Sequence, residues 1–128
     1  MSDWRWISAE AAVAIHEEQL AEHGGAAGTR DDGGLQSALA RPKNLAAYGQ
    51  PDAAALAASY AFAIVRNHPF VDGNKRTAWV LARLFLAKNR LVLEFNQAEA
   101  VVRMLALAAG EIDEDELATW FRERISAA

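Results

Sequence analysis

The sequence predicts an all-α fold, and three observations carry that expectation. Apolar residues recur at helical spacing in successive segments, side chains suited to capping stand at the starts of those segments, and glycine or proline interrupts the pattern between them. With 52% of its residues apolar, the 128-residue chain has material for one core. A chain of this size buries roughly two-thirds of the surface it exposes when unfolded, so residues 1–128 are expected to form a single domain.

Ser8 can cap a first helix, with Glu10 favourably placed near the positive end of its dipole. Ala12, Val13, Ile15, His16 and Leu20 supply an apolar stripe as far as His23, and Gly24-Gly25 supplies the stop. The polar, glycine-rich stretch from Gly24 to Gly34 reads as a surface loop. Leu35 to Ala40 is expected to be a short helix ending before Pro42, because the residue preceding proline is pushed out of helical geometry. Pro51 opens the next helix, over Asp52 to Asn67, whose Leu56, Tyr60, Ala63 and Ile64 share a face while its alanines let neighbours approach closely.

Helical spacing resumes at Asn74 and continues through Trp79, Val80, Leu81, Leu84, Phe85 and Leu86, with apolar residues around most of the circumference. Such a helix is expected to be buried at the centre of the domain. Leu91 to Phe95 has the character of a short extended link. Asn96 with Glu99, and Asp113 with Glu116, are capping-box patterns that start the last two helices. Gly110 ends the first of these, and Leu117, Trp120, Phe121 and Ile125 give the second its core stripe.

The chain contains no cysteine, which excludes disulfides, thiolate nucleophiles and cysteine-ligated zinc. Its formal net charge of −4 does not suit a non-specific nucleic-acid binder. No apolar run reaches the roughly 18 residues of a membrane span, and the N-terminus lacks the regions of a signal peptide, so a cytoplasmic location is expected, with neither a membrane nor nucleic acid as direct partner.

Chemistry concentrates in His68-Pro69-Phe70-Val71-Asp72-Gly73-Asn74-Lys75-Arg76. The first turn of a helix leaves backbone N–H groups without internal partners at the positive end of the dipole, and such a turn attracts phosphate. Gly73 lets a ligand oxygen approach the backbone, Asn74 offers an amide donor, Lys75 a point charge, and Arg76 a fork that can grip two oxygens. Asp72, the acid of the cluster, makes sense beside phosphate as a ligand of a divalent cation, and magnesium takes one or two carboxylates together with substrate phosphates. His68 has the chemistry of a general base. Phe70 would anchor the loop in the core. Taken singly each residue has a plainer reading: a structural histidine at a helix end, an ordinary Asp-Gly turn, a solvated Lys-Arg pair.

The same segment resembles the core motif of the Fic/Doc superfamily, which reads His-Pro-Phe, two residues, Gly-Asn, one residue, Arg. The resemblance extends upstream to Gly28, Arg30-Asp31, Leu35, Ser37-Ala38 and Pro42, and downstream to Glu116-Leu117-Ala118. Lys75 stands where adenylylating members carry a small glycine, and this is similar to the death-on-curing (Doc) toxins. The resemblance implies a toxin kinase that uses ATP and Mg2+ to phosphorylate a threonine of elongation factor Tu and so arrests translation. It implies His68 as the base, Asp72 as the magnesium ligand, Gly73, Asn74, Lys75 and Arg76 as the phosphate cradle, and Phe70 as the buried anchor. Thr29, Arg30, Asp31 and Asp32 match a flap that faces the target protein, though a connector with no such role fits their composition as well.

Self-restrained relatives carry Ser or Thr, three residues, then Glu followed by Gly or Asn. The nearest match here, Thr119 to Glu123, is followed by Arg124, so restraint is expected from a separate antitoxin folding a disordered tail onto this domain. Two other functions fit parts of the pattern: a protein nucleotidyltransferase on the same scaffold, and a catalytically silent binding module that keeps the anion site.

Overall fold

A computed structural model of the protein describes residues 3–128. Six helices and one small sheet follow in the order α1 (Ala9–His23), α2 (Asp32–Tyr48), α3 (Ala53–Asn67), α4 (Asn74–Lys88), β1 (Leu91–Leu93), α5 (Gln97–Ala108), α6 (Glu114–Arg122) and β2 (Ile125–Ala127). Ser8, Asp31, Asp52, Asn96 and Asp113 each accept a hydrogen bond from the N–H three residues on, which starts α1, α2, α3, α5 and α6. At α6 the full capping box forms, Glu116 reaching back to the Asp113 N–H at 3.3 Å.

The centre is α3 beside α4. Ala57, Ala58 and Ala61 of α3 are wholly buried and bring the neighbouring backbones close, while Tyr60, Leu81, Phe85, Leu117 and Phe121 fill the space between. Helices α2 and α6 pack on α3, and α1 packs on α4. The segment before α1 lies across α4, with the Trp4 and Trp6 rings 5.9 and 5.8 Å from Phe85 and the Ile7 N–H bound to the Tyr60 hydroxyl at 3.0 Å. Among the described residues, no helix is long and apolar enough to cross a membrane.

Three features differ from the sequence expectation. Helix α2 begins at Asp32 and runs through Pro42 to Tyr48. Pro42 forfeits the N–H bond that would reach the Ala38 carbonyl, but its ring is buried with Leu35, Ala38 and Leu39 against the core, and that burial offsets the lost bond. Ile125 leaves the helical stripe: α6 stops at Arg122, and β2 pairs antiparallel with β1, setting Ile125 opposite Leu93. The central helix α4 is buried along Ala78, Leu81, Ala82, Phe85 and Leu86 but keeps a solvent edge at Arg83, whose guanidinium lies over the Phe95 ring at 4.9 Å.

Candidate active site

The turn between α3 and α4 is held from three sides. His68 ends α3 in the left-handed region, φ 50°, with its N–H on the Ile64 carbonyl at 3.0 Å and its side chain exposed. Arg30 takes the last carbonyls of α3, Nε donating to His68 O at 2.9 Å and Nη2 to Asn67 O at 3.1 Å, which sets a cation on the negative end of that helix. The segment before α2 also pairs with the turn: the Arg30 and Asp31 N–H groups donate to Pro69 O at 2.7 and 3.0 Å, and Val71 N–H to Gly28 O at 3.0 Å, around a Thr29–Phe70 bridge.

The Gly24 to Gly34 stretch, expected to be a surface loop, is thus exposed but strapped to the motif. Each residue of the expected docking flap has a local task. Thr29 bridges, Arg30 caps α3, Asp31 caps α2, and Asp32 is the first residue of α2.

Phe70 is fully buried. Its ring lies parallel to that of His16 from α1, centroids 3.8 Å apart, and the His16 Nε2–H donates to the Asp72 carbonyl at 2.7 Å. Asn74 departs from its expected part in the phosphate cradle. Its side-chain amide is committed to the backbone of Phe70, Oδ1 accepting from the N–H at 3.1 Å and Nδ2 donating to the carbonyl at 2.9 Å. A buried amide satisfies all it can reach, and the Phe70 peptide groups lie nearest. What Asn74 can present to a ligand is its backbone N–H.

Gly73 precedes α4 at φ 77°, a conformation glycine adopts without strain. Among the described residues no side chain caps α4, so its first-turn N–H groups are left for an external acceptor. Before this helix end lies a cleft of about 760 Å3, lined by His68, Asp72, Gly73, Asn74, Lys75 and Arg76. Gln19 and His23 of α1 form a second wall, and Trp79 of α4 with Val101, Met104 and Leu105 of α5 form an apolar third. Among the described residues neither Lys75 nor Arg76 forms an ion pair.

Asp72 accepts from the Gly73 N–H at 2.8 Å through Oδ1 and from the Ala26 N–H at 3.3 Å through Oδ2. These bonds, the Gly73 one foremost, together with the charges of Arg76 and Lys75, hold its carboxyl below the ordinary carboxylate range, so it is an anion at neutral pH. Among the described residues no group of three His, Cys, Asp or Glu could cage a metal without help. A single exposed carboxylate beside an anion site does fit magnesium, which keeps water and substrate phosphate oxygens as its remaining ligands.

Sequence reasoning did not find His16, Gln19 and His23 as parts of this region. Their i, i+3, i+7 spacing was the available signal, a polar line within a stripe otherwise read as core. The apolar wall from α5 had no local signal, because it acquires meaning only by facing the cations across the cleft.

The profile of the Fic/DOC family matches residues 6–86, from the segment that crosses α4 into α4 itself. This chain belongs to the Fic/DOC family. It is 33% identical over 125 residues to the protein kinase doc of Escherichia phage P1, covering 97% of this chain and 98% of that relative. It is 39% identical over 100 residues to the toxin Doc of Mycolicibacterium smegmatis, covering 74% of this chain and 76% of the relative. The match covers α1, the flap, α2, α3, the motif turn and most of α4, while the α5 wall lies beyond it.

Proposed function

We propose that this Fic/DOC protein is a Doc-type toxin that transfers the γ-phosphate of ATP to a serine or threonine hydroxyl of a protein. The reading rests on one observation: an exposed imidazole, an ionised acid and the Lys75 and Arg76 cations converge on one cleft at the start of α4, which no side chain caps among the described residues. The names of its relatives, a protein kinase and a toxin, add to it.

In this reading Lys75, Arg76 and the backbone N–H groups of Asn74 to Arg76 grip the phosphates, Arg76 in a two-oxygen fork, while the Gly73 N–H stays on the Asp72 carboxylate. Asp72 would hold Mg2+, which supplies charge neutralisation where negative charge gathers on the phosphates. His68 takes the proton of the acceptor hydroxyl as that oxygen bonds to the γ-phosphorus, the bond from the γ-phosphorus to the bridging oxygen breaks, and ADP leaves. Lys75 favours the kinase over a nucleotidyltransferase because its side chain occupies room that a glycine would leave for the rest of the triphosphate. The acceptor is a translation factor, elongation factor Tu, so that the modification arrests translation in the cytoplasm. A cognate antitoxin restrains the enzyme by folding its tail onto this domain.

Incubation with ATP, magnesium and elongation factor Tu tests the reading. ATP labelled at the γ-phosphate is expected to label the factor, and ATP labelled at the α-phosphate is not. Label from the α-position would make the protein a nucleotidyltransferase, and no label from either would leave only a binding module.

A further inference from the structure

A histidine 2% exposed, within a stripe otherwise built from apolar side chains, calls for a physical reason. Burying an imidazole costs free energy unless it is hydrogen-bonded, and a leucine or phenylalanine would pack at less cost. His16 makes one bond of unusual placement. Its acceptor is the carbonyl of Asp72, which can only accept, so the proton must sit on Nε2. That carbonyl belongs to the peptide unit joining Asp72 to Gly73, whose N–H is held in turn by the Asp72 carboxylate at 2.8 Å. Both poles of this one peptide are therefore fixed, the carbonyl by α1 and the N–H by Asp72.

The peptide needs fixing because the residue after it is glycine. Gly73 can take many backbone conformations, and rotation there would turn the first N–H groups of α4 away from the cleft. Nothing in Gly73 itself selects φ 77°. The imidazole does, and its own orientation is set by the Phe70 ring stacked 3.8 Å away with planes 6° apart. Phe70 is held by the two bonds from Asn74. The contacts close a ring: Asn74 grips Phe70, Phe70 orients His16, His16 fixes the Asp72–Gly73 peptide, and that peptide leads back into Asn74. His16 is absent from the lining of the cleft, whereas Gln19 and His23 of the same helix are part of it. It acts from behind the turn.

We infer that His16 is a positioning residue, which holds the Asp72–Gly73 peptide so that the backbone N–H groups opening α4 stay aimed at a bound polyphosphate. The inference rests on the anion-binding reading of the cleft, and inorganic tripolyphosphate separates the two because it needs neither base, acceptor protein nor turnover.

The experiment is calorimetric titration of the full chain with tripolyphosphate, alongside His16→Leu, which keeps apolar bulk and loses the donor, and His16→Gln, which can place an amide N–H near the Nε2 position. His16→Leu is expected to weaken binding by about ten-fold, the scale of one lost hydrogen bond to a partly buried carbonyl, and His16→Gln to recover it to within about three-fold of wild type. The Gly73 amide resonance should move in His16→Leu and return in His16→Gln. Should His16→Leu not fold, His16→Phe, which keeps a ring against Phe70 without the N–H, carries the same expectation. Wild-type binding that is unchanged in the folded leucine or phenylalanine variant overturns the inference alone, and so does equal weakening by leucine and glutamine, which would make the role one of packing. A wild-type chain that does not bind tripolyphosphate overturns the inference together with the anion site beneath it.

Discussion

The Asn74 side chain holds the Phe70 backbone by both of its polar groups, with Oδ1 on the N–H at 3.1 Å and Nδ2 on the carbonyl at 2.9 Å. Phe70 is fully buried, so no water is at hand to replace either bond. Asn74→Ala leaves two buried backbone groups unpaired at about 1–3 kcal/mol each, and a total loss of about 2–6 kcal/mol is expected in urea unfolding. A loss below about 1 kcal/mol would mean that the clamp is not what holds the turn.

His68 offers the opposite case, a side chain exposed to solvent whose backbone is held by other residues. At φ 50° the substitution that least disturbs the turn is asparagine, which tolerates the left-handed region better than most residues. His68→Asn is expected to lower phosphoryl transfer by about 10²–10⁴ while ATP binding, followed by calorimetry, stays close to wild type. Retained transfer in the folded variant would remove His68 from the chemistry and leave the cleft as a binding site.

What could be read along the chain depended on how far apart the partners lie. Ser8, Asn96 with Glu99, and Asp113 with Glu116 announce their helices because a cap and its N–H are three residues apart. The motif was visible for the same reason, being nine consecutive residues. Pro42 misled because a local penalty was weighed without the core that buries its ring. Ile125 sits four residues after Phe121, as a helix would have it, and the strand partner Leu93 that claims it cannot be seen from that spacing. Asn74 was read as a donor to phosphate, since an amide suits either task and only the fold decides its direction. Arg30 and His16 find their acceptors at His68 and Asp72, far along the chain, so neither role had a local trace.

Asp52 caps α3 and also pairs with Arg122, whose Nε lies 2.6 Å from Oδ2. The Arg122 guanidinium bonded to Asp52 holds its carboxyl below the ordinary carboxylate range. A folded pKa below the unfolded one means that stability is gained above the unfolded value and lost as pH falls through the folded one. Asp52→Asn removes the charge but keeps a good cap. With both side chains about half exposed, the expected loss at neutral pH is under about 1 kcal/mol, and it should shrink with added salt. The difference from wild type should close as pH falls below about 4 in an unfolding series. A constant difference from pH 7 to pH 2 would show that the cap, not the ion pair, was altered.

Gly25 connects the flap to the acid of the site. It sits at φ +125°, and a Cβ placed there would meet the Asp72 Oδ2 at 2.8 Å and Leu20 Cδ2 at 3.0 Å. The Leu20 side chain lies in the α1 stripe, so the Asp72 carboxylate, exposed at the cleft, is the partner free to yield. Gly25→Ala therefore strains the flap backbone and presses on that carboxylate, and both effects should take it from the Ala26 N–H and from the place where it would hold magnesium. The magnesium concentration for half-maximal transfer is expected to rise by about ten-fold, the usual scale for disturbing a group that orients a metal ligand. Asp72→Asn sets the limit of the effect, since its single amide oxygen can keep the bond from the Gly73 N–H but not also the one from Ala26, and it carries no charge for the metal. Tripolyphosphate binding measured without magnesium should survive in both variants, because the N–H groups and the two cations remain. A Gly25→Ala protein with the wild-type magnesium response would show that the flap does not govern where Asp72 points.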